Sequence, residues 1–487
     1  MKKQFIILFS ALLLLSVCTA GCKKEEESTV TIPDTVVVEA PPSNVETPVN
    51  EPEEPVAEEP LPEETVPETA EPQTVVPPQG PAVYWSELHD YNLDQELLTA
   101  DGEIKNLSIQ LGNNPDELFI TWFSKSNSKG KVHFKTGGLF GNLSAKAATE
   151  PSISVPGYYR NSALVKGLKS NTSYTYYVKN GSSTSPVYNY QTGDLHSNDF
   201  TFTVVSDSEI GLGDPEVLPK HRSIWRVVLN RMRTQIPESQ FILSLGDQVA
   251  DPGSSQHYDY FLDNSVLYST PLIPVMGNHD VGTGFFGDHF SLPNLSSTGT
   301  SEGRDGNYWF VKGNVLFMVL NNMSPASTDE HEQFVAETIA KNTDAKWRVI
   351  ASHYSPVSMV EKYMGARESV RASYAYMAEL YDIDLFLGGH DHIYTRSWFI
   401  DENGNPYPEQ ELQSEFHNPE YPLYLIFNTA TDALLRHPDD TYPWSAVTVQ
   451  HDVPQLAKIH VTDNSFTVTA YDADTWTETD SFTIYKD

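Results

Sequence analysis

One form, repeated five times, limits what this chain can fold into: an apolar run of strand type that stops at a residue able to bind a metal. The runs are Phe200-Thr-Phe-Thr-Val-Val-Ser-Asp207, Phe241-Ile-Leu-Ser-Leu-Gly-Asp247, Pro271-Leu-Ile-Pro-Val-Met-Gly-Asn278-His279-Asp280, Trp347-Arg-Val-Ile-Ala-Ser-His353 and Asp384-Leu-Phe-Leu-Gly-Gly-His390-Asp-His392. Short apolar runs closed by Gly or a polar turn read as buried strands. Loops at the carboxyl ends of strands in an α/β sheet share one edge, where such folds place their sites. The five runs therefore predict one site. His390 and His392 lie two residues apart after the strand has ended in a turn, so both can face neighbouring metals.

Taken singly, Asp207 and Asp247 could be helix caps, Asn278 a turn residue and His279 a core hydrogen-bonding group. Two capped helices would not account for the matching strands that end in histidine. In their order, Asp, Gly-Asp, Gly-Asn-His-Asp, Ser-His and Gly-His-x-His resemble the calcineurin-like metallophosphoesterase motifs, and His392-Ile-Tyr394-Thr-Arg396 is similar to the purple acid phosphatase branch.

The resemblance covers residues 200 to about 400. It implies an α/β domain of four layers, α/β/β/α, and two divalent or trivalent metal ions, with Fe, Mn or Zn all suited to oxygen and imidazole ligands. The first metal would take Asp207, Asp247 and His392, and the second Asp247, Asn278, His353 and His390, with Asp247 as the bridge. A hydroxide between the metals would attack phosphorus in line. Asn278 and His279 would bind the phosphate, and His279 would protonate the leaving oxygen.

Two departures matter. Ala250 stands three residues after Asp247, where the purple enzymes have a ligand tyrosine; Glu209, two residues after Asp207, could fill that place, and so could water. Lys362-Tyr363-Met364 stands where the branch has proton-donating histidines, so activated esters should be better substrates than alkyl phosphates. Tyr394 and Arg396 should support their loop, Arg396 through a carboxylate. Arg304, in the loop after Asp280, is a candidate to reach substrate, against the commoner fate of a solvated loop charge.

At the amino end, Met1-Lys2-Lys3 and the apolar run Phe5 to Val17 read as a signal peptide, too short for a permanent membrane helix. Thr19-Ala20-Gly21-Cys22 resembles a bacterial lipobox with Cys22 as the lipidated residue. Cys18 and Cys22 are the two cysteines of the chain, so the mature protein should hold neither a disulfide nor a thiolate metal site. Residues 23–82 carry 15 acidic and 2 basic residues among Pro, Val and Thr. Such a composition cannot bury enough apolar surface to offset chain entropy, which predicts a disordered, extended spacer. The net charge of −35 argues against nucleic-acid or anionic-lipid binding by bulk charge, and bound metals would supply the local positive charge an anionic substrate needs.

Residues 83–195 alternate β-formers with Gly, Asn, Ser and Pro, which predicts an all-β antiparallel sandwich with Trp122 in its core; Leu168-Lys-Ser-Asn-Thr172-Ser-Tyr174 resembles the turn before a fibronectin type III strand, where Tyr174 would form a tyrosine corner. His133 sits alone in a strand and is not expected to bind metal. From 196 to 487 strands and helices alternate, with helices near 222–234, 327–341 and 367–380. Ser327-Thr-Asp-Glu330 would cap the second, while Val370, Tyr374, Met377 and Leu380 would form the buried face of the third. The leading expectation is an exported, lipid-anchored dimetal phosphomonoester hydrolase, acid phosphatase-like, in a bacterial cell envelope. The alternatives are a phosphodiesterase or nucleotide hydrolase on the same metal core, and a non-catalytic surface-binding lipoprotein.

Overall fold

The computed structural model describes residues 102–137, 141–213, 217–299, 303–323, 328–407 and 410–487, without the side chains of 364–369. The expected signal peptide, Cys22, the spacer, the first part of the sandwich and Ser327 lie outside these residues. No helix among the described residues is long and apolar enough to cross a membrane.

The amino-terminal part is a sandwich of two antiparallel sheets. One orders its strands Ile104–Leu111, Glu117–Ser124, Tyr159–Lys166, Ala148–Pro151; the other orders Leu143–Lys146, Gly130–Thr136, Ser173–Asn180, Ser183–Thr184, with Tyr188–Gln191 also paired to Ser173–Asn180. Along Ser173–Asn180 every second residue, Tyr174, Tyr176, Val178 and Asn180, is buried, the two-residue period of a half-covered strand. Trp122 is fully buried and its Nε1 donates to Asn180 Oδ1 at 2.6 Å. The Tyr174 hydroxyl accepts from the Lys169 amide at 2.9 Å, which is the corner expected from the sequence. His133 stacks on Tyr177 with ring centres 4.8 Å apart.

The carboxyl-terminal part is built on two mixed sheets of seven strands each. The first orders Leu272–Pro274, Ser239–Ser244, Phe200–Val205, Gln455–Val461, Ser465–Asp472, Thr477–Tyr485 and Glu415–His417. The second orders Tyr308–Lys312, Val315–Val319, Trp347–Tyr354, Leu385–Gly389, Leu423–Ile426, Tyr394–Phe399 and Ser445–Val449. All six residues of Phe200–Val205 and all five of Val315–Val319 are buried, because both faces of these strands are covered.

The inner faces of the two sheets meet in aromatic pairs. Phe202 stacks on Phe241 at 4.7 Å and Phe310 on Phe317 at 4.6 Å, and the pairs meet edge to face, Phe202 to Phe317 at 5.4 Å and Phe241 to Phe317 at 5.7 Å. Each such pair adds about 0.5–1.5 kcal/mol beyond area burial. Helix Leu218–Gln235 joins the same core through Ile224, Trp225, Val228, Leu229 and Met232. On the other side, Phe334 and Val335 of helix Thr328–Lys341 and Tyr374, Met377 and Ala378 of helix Glu361–Leu380 pack with Leu316, Met318, Ile350 and Phe386 of the second sheet. The order is α/β/β/α.

Two expectations about helices need correction. The third helix starts at Glu361, six residues before the predicted start at 367. Leu380, expected on its buried face, is 50% exposed, because the buried stripe runs through Tyr374, Met377, Ala378 and the half-buried Tyr381 and leaves Leu380 off it.

Sandwich and carboxyl-terminal domain are joined by polar contacts from helix Phe285–His289 and the residues just after it. Asp288 Oδ2 accepts from Ser152 Oγ at 2.7 Å, Ile153 N at 3.1 Å, Ser154 N at 3.0 Å and Ser154 Oγ at 2.7 Å. Arg160 donates to the Asp288 carbonyl at 2.7 Å and to Ser291 Oγ at 3.0 Å. The buried Asp288 carboxylate is thus solvated by the sandwich instead of water.

Candidate metal centre

Five of the predicted ligands follow the ends of strands where the backbone turns left-handed, while His353 is the last residue but one of strand Trp347–Tyr354. Asp207, Glu209, Asp247, His390 and His392 have φ of 47°, 37°, 51°, 71° and 56°. Non-glycine residues reach this region at a cost of about 1–3 kcal/mol each, and such residues gather where function requires them. The turns send side chains from different strands back toward one point.

Glycine permits the crowding at two places. Gly246 (φ 105°) packs under the His353 ring, where a Cβ would lie 2.3 Å from Nδ1; at Gly277 a Cβ would lie 2.1 Å from Asp247 Oδ1.

The first sheet supplies Asp207, Glu209, Asp247, Asn278 and His279 from the ends of its parallel strands; the second supplies His353, His390 and His392. His353 Nε2 lies 3.1 Å from Asp247 Oδ2 and 3.2 Å from Asn278 Oδ1, and His392 Nε2 lies 3.3 Å from Asp207 Oδ1. The ligand atoms of Asp247, His353 and His390 lie within 4.8 Å of one another, and so do those of Glu209, Asp247 and His279. Asp247 belongs to both groups, as a bridging carboxylate would.

Backbone carbonyls set the imidazoles. His353 Nδ1 lies 2.8 Å from Leu245 O, and His392 Nδ1 lies 2.8 Å from Leu434 O and 3.1 Å from Ala433 O. A carbonyl can only accept, so Nδ1 carries the proton and Nε2 faces the cluster, the usual support of a metal-binding histidine.

The electrostatics are those of buried carboxylates. Burial opposes charge on His353, but Asp247 and Asp207 beside it hold its pKa up to about 10; burial likewise opposes charge on His392, which Asp207 holds up to about 9. Burial raises the Glu209 pKa to about 7, with Asp247 and Asp207 adding to the rise. Asp207 is lowered despite its burial, by His392 and His353. Glu209 Oε2 is buried and accepts no hydrogen bond; its Oε1 lies 3.4 Å from His279 Nε2. Carboxylates, imidazoles and an amide, one of them with an unsatisfied anionic oxygen, form a donor set that fits hard or borderline cations.

Most sequence-predicted site residues, Asp207, Glu209, Asp247, Asn278, His279, His353, His390 and His392, are brought together. Arg304 is not: its guanidinium pairs with Glu150 at 2.7 Å and approaches Asp288 at 4.0 Å, on the side of the sandwich. The loop after Asp280 runs to the domain interface, so its cation serves there and not on substrate. Ala250 offers its carbonyl to His279 Nδ1 at 2.9 Å. Tyr394 and Arg396 both engage Asp480, at 2.8 Å from the hydroxyl and 2.9 Å from Nε.

Sequence reasoning missed a supporting shell. Asp280 is buried and accepts from Gly277 N at 2.8 Å and Gln248 N at 3.2 Å, which joins the Asn278 loop to the Asp247 loop. Asp391, between the two histidines, turns the other way and accepts from Ser358 Oγ and Met359 N, both at 2.7 Å. Thr429 Oγ1 donates to Asp207 O at 2.6 Å and Thr431 Oγ1 to Ser208 O at 2.9 Å. The Gly-Asn-His-Asp run was a signal for Asp280; Thr429 and Thr431 carry none.

Beside His390 and Asn278 lies a cleft of about 470 Å³, with Tyr354, Lys362, Tyr363 and Tyr374 in its walls. The rings of Tyr354 and Tyr363 have their centres 4.5 and 4.3 Å from that of His390.

Comparison with known proteins agrees with this geometry. Residues 190–394 match the calcineurin-like phosphoesterase family and residues 104–192 the purple acid phosphatase N-terminal domain. Two uncharacterized proteins of Mycobacterium tuberculosis, from strains CDC 1551 and H37Rv, are 26% identical over 163 residues, 28% of this chain and 30% of each relative. The chain thus aligns with only 30% of the length of these curated relatives. Among solved structures, the purple acid phosphatase from yellow lupin (Lupinus luteus) seeds superposes with a TM-score of 0.65 at 15% identity, covering 79% of this chain and 74% of that one. PhoD superposes with a TM-score of 0.53 at 13% identity, covering 79% and 94%. With its five strand-end motifs gathered at one edge, this chain carries a calcineurin-like phosphoesterase domain at residues 190–394, preceded by a purple acid phosphatase N-terminal domain at residues 104–192.

Proposed function

We propose that this protein is a metal-dependent phosphomonoester hydrolase, acid phosphatase-like, and that it works on the outer side of a bacterial membrane. The single observation that carries the catalytic reading is the placing of Asp247 in two donor groups at once. One cation would be held by Asp207, Asp247, Glu209 and His392, the other by Asp247, Asn278, His353 and His390. When bound, the pair supplies Lewis acidity to the phosphate oxygens and lowers the pKa of water.

The chain's own groups do the rest. Asn278 and His279 face the phosphate from the Gly277 loop. His279 Nδ1 lies 2.9 Å from Ala250 O, which turns Nε2, 3.4 Å from Glu209 Oε1, toward the cluster as the nitrogen that would pass a proton to the leaving oxygen.

The test is turnover of an aryl phosphate with Mn, Zn or Fe, beside Asp247→Asn. The variant should lose more than about 100-fold in kcat/KM together with metal content. Wild-type turnover no faster than the variant in every metal would leave a binding protein, and faster turnover of a bis-aryl diester than of the monoester would move the reading to phosphodiesters. Export and anchoring rest on the Phe5 to Val17 run and Cys22. Fatty-acid label should enter the wild type in a bacterial host and be absent from Cys22→Ala; label retained by the variant would remove the anchor at that residue.

A further inference from the structure

We propose that the cleft beside His390 is a leaving-group site built for a planar aromatic ring joined directly to the phosphate oxygen, so that the substrates are phenolic phosphate esters; this rests on the phosphoesterase reading above.

The cleft adjoins Asn278 and His390, on the side of the second donor group. Its volume of about 470 Å³ falls within the 300–1,000 Å³ usual for small-molecule sites and exceeds what a bare phosphate requires. The nearest walls are rings: Tyr354 and Tyr363, centred 4.5 and 4.3 Å from the His390 ring, with Tyr374 farther along helix Glu361–Leu380. A group that leaves from a phosphate held at Asn278 and His390 therefore has the tyrosine side chains of the cleft beside it.

Both near walls are fixed. Asn322 clamps the Tyr354 backbone, donating from Nδ2 to its carbonyl at 2.7 Å and accepting from its amide at 3.3 Å. The Tyr363 hydroxyl accepts a hydrogen bond from Arg436 Nη1, and the Arg436 guanidinium and Lys362 ammonium lie 5.4 and 4.6 Å from the ring centre. A ring fixed at its hydroxyl end loses little freedom when another ring packs on it, so the contact is retained as affinity.

The chemistry of this chain points the same way. Beside His390 the cleft wall offers two phenols and one ammonium, Tyr354, Tyr363 and Lys362. Hydrolysis breaks the bond between phosphorus and the ester oxygen and forms one between phosphorus and a water oxygen; the products are the phenol and hydrogen phosphate. A phenol, with a pKa near 10, can leave as the anion and take its proton afterwards, whereas an alkoxide cannot. The aromatic walls thus select the leaving groups that need least help.

The test is inhibition of the metal-loaded full chain by methyl-, cyclohexyl- and phenylphosphonate, none of which can be hydrolysed. An aromatic pair is worth about 2- to 10-fold in affinity. Phenylphosphonate should bind about 10-fold tighter than methylphosphonate, with cyclohexylphosphonate between them. Tyr363→Leu should cut that ratio at least about 3-fold without moving methylphosphonate, and Tyr363→Phe should keep it. Equal binding of the three, or a ratio that survives Tyr363→Leu, overturns the proposal and leaves the metal centre standing. Failure of all three to bind overturns the phosphate site with it. Should Tyr363→Leu bind less metal, the three phosphonates would weaken together and their ratio would still decide.

Discussion

Glu209 has a left-handed backbone, a buried carboxylate and one oxygen that accepts no hydrogen bond. An unsatisfied buried polar group costs about 1–3 kcal/mol and more when charged, and the backbone strain adds a similar amount. His392 Nε2 at 3.7 Å and His279 Nε2 at 3.4 Å offset part of this, and a cation between Glu209, Asp207 and Asp247 would offset more. Glu209→Gln keeps the shape and removes the charge. It should lower bound metal from two toward one per chain by elemental analysis and shrink the melting-temperature difference between metal-loaded and chelator-treated protein. Two tightly held metals in the variant would give that coordination place to water. At this scale the sequence was generous: a ligand that ends a strand is visible as a polar residue closing an apolar run. Asp280 and Asp391 were harder, because their partners are backbone amides that only tertiary folding brings near, and Arg304 misled because nothing local shows that its loop runs to the sandwich.

The strands carry their own evidence of burial, and the sheets follow from it. Phe241 stacks on Phe202 and meets Phe310 and Phe317 edge-on, at 5.6 and 5.7 Å, so one side chain joins both sheets. Phe241→Ala should destabilise the domain by about 3–5 kcal/mol in chemical denaturation. A loss below about 1 kcal/mol would mean that the sheets do not share a core. Long runs such as Val315–Val319 were legible because both faces are apolar. Leu143–Lys146, Ala148–Pro151 and Glu415–His417 were not; they are short, half-exposed edges held by backbone pairing, which leaves no pattern in side chains. The early start of helix Glu361–Leu380 was hidden for a related reason, as its first turn carries charged Glu361 and Lys362.

For the molecule as a whole, the union of sandwich and phosphoesterase domain turns on Asp288. Its Oδ2 gathers four donors from Ser152, Ile153 and Ser154, and the two bonds from Ser154 are buried. Asp288→Ala leaves the two Ser154 donors buried without that acceptor and should cost about 2–4 kcal/mol. Limited proteolysis should then cut between residues 192 and 200 faster than in the wild type; an unchanged rate would show that the remaining contacts suffice. This interface was invisible in the sequence, since Ser, Asp and Arg look like ordinary surface until the partner surface arrives.

The division of donors has a mechanical consequence. Oxygen ligands arrive on one sheet and, His279 aside, imidazoles on the other, so bound ions would act as rivets across the seam where the two halves of the domain meet. Warming that merely slackens this seam would free the ions while every strand is still paired, and the protein would fall silent before it unravels.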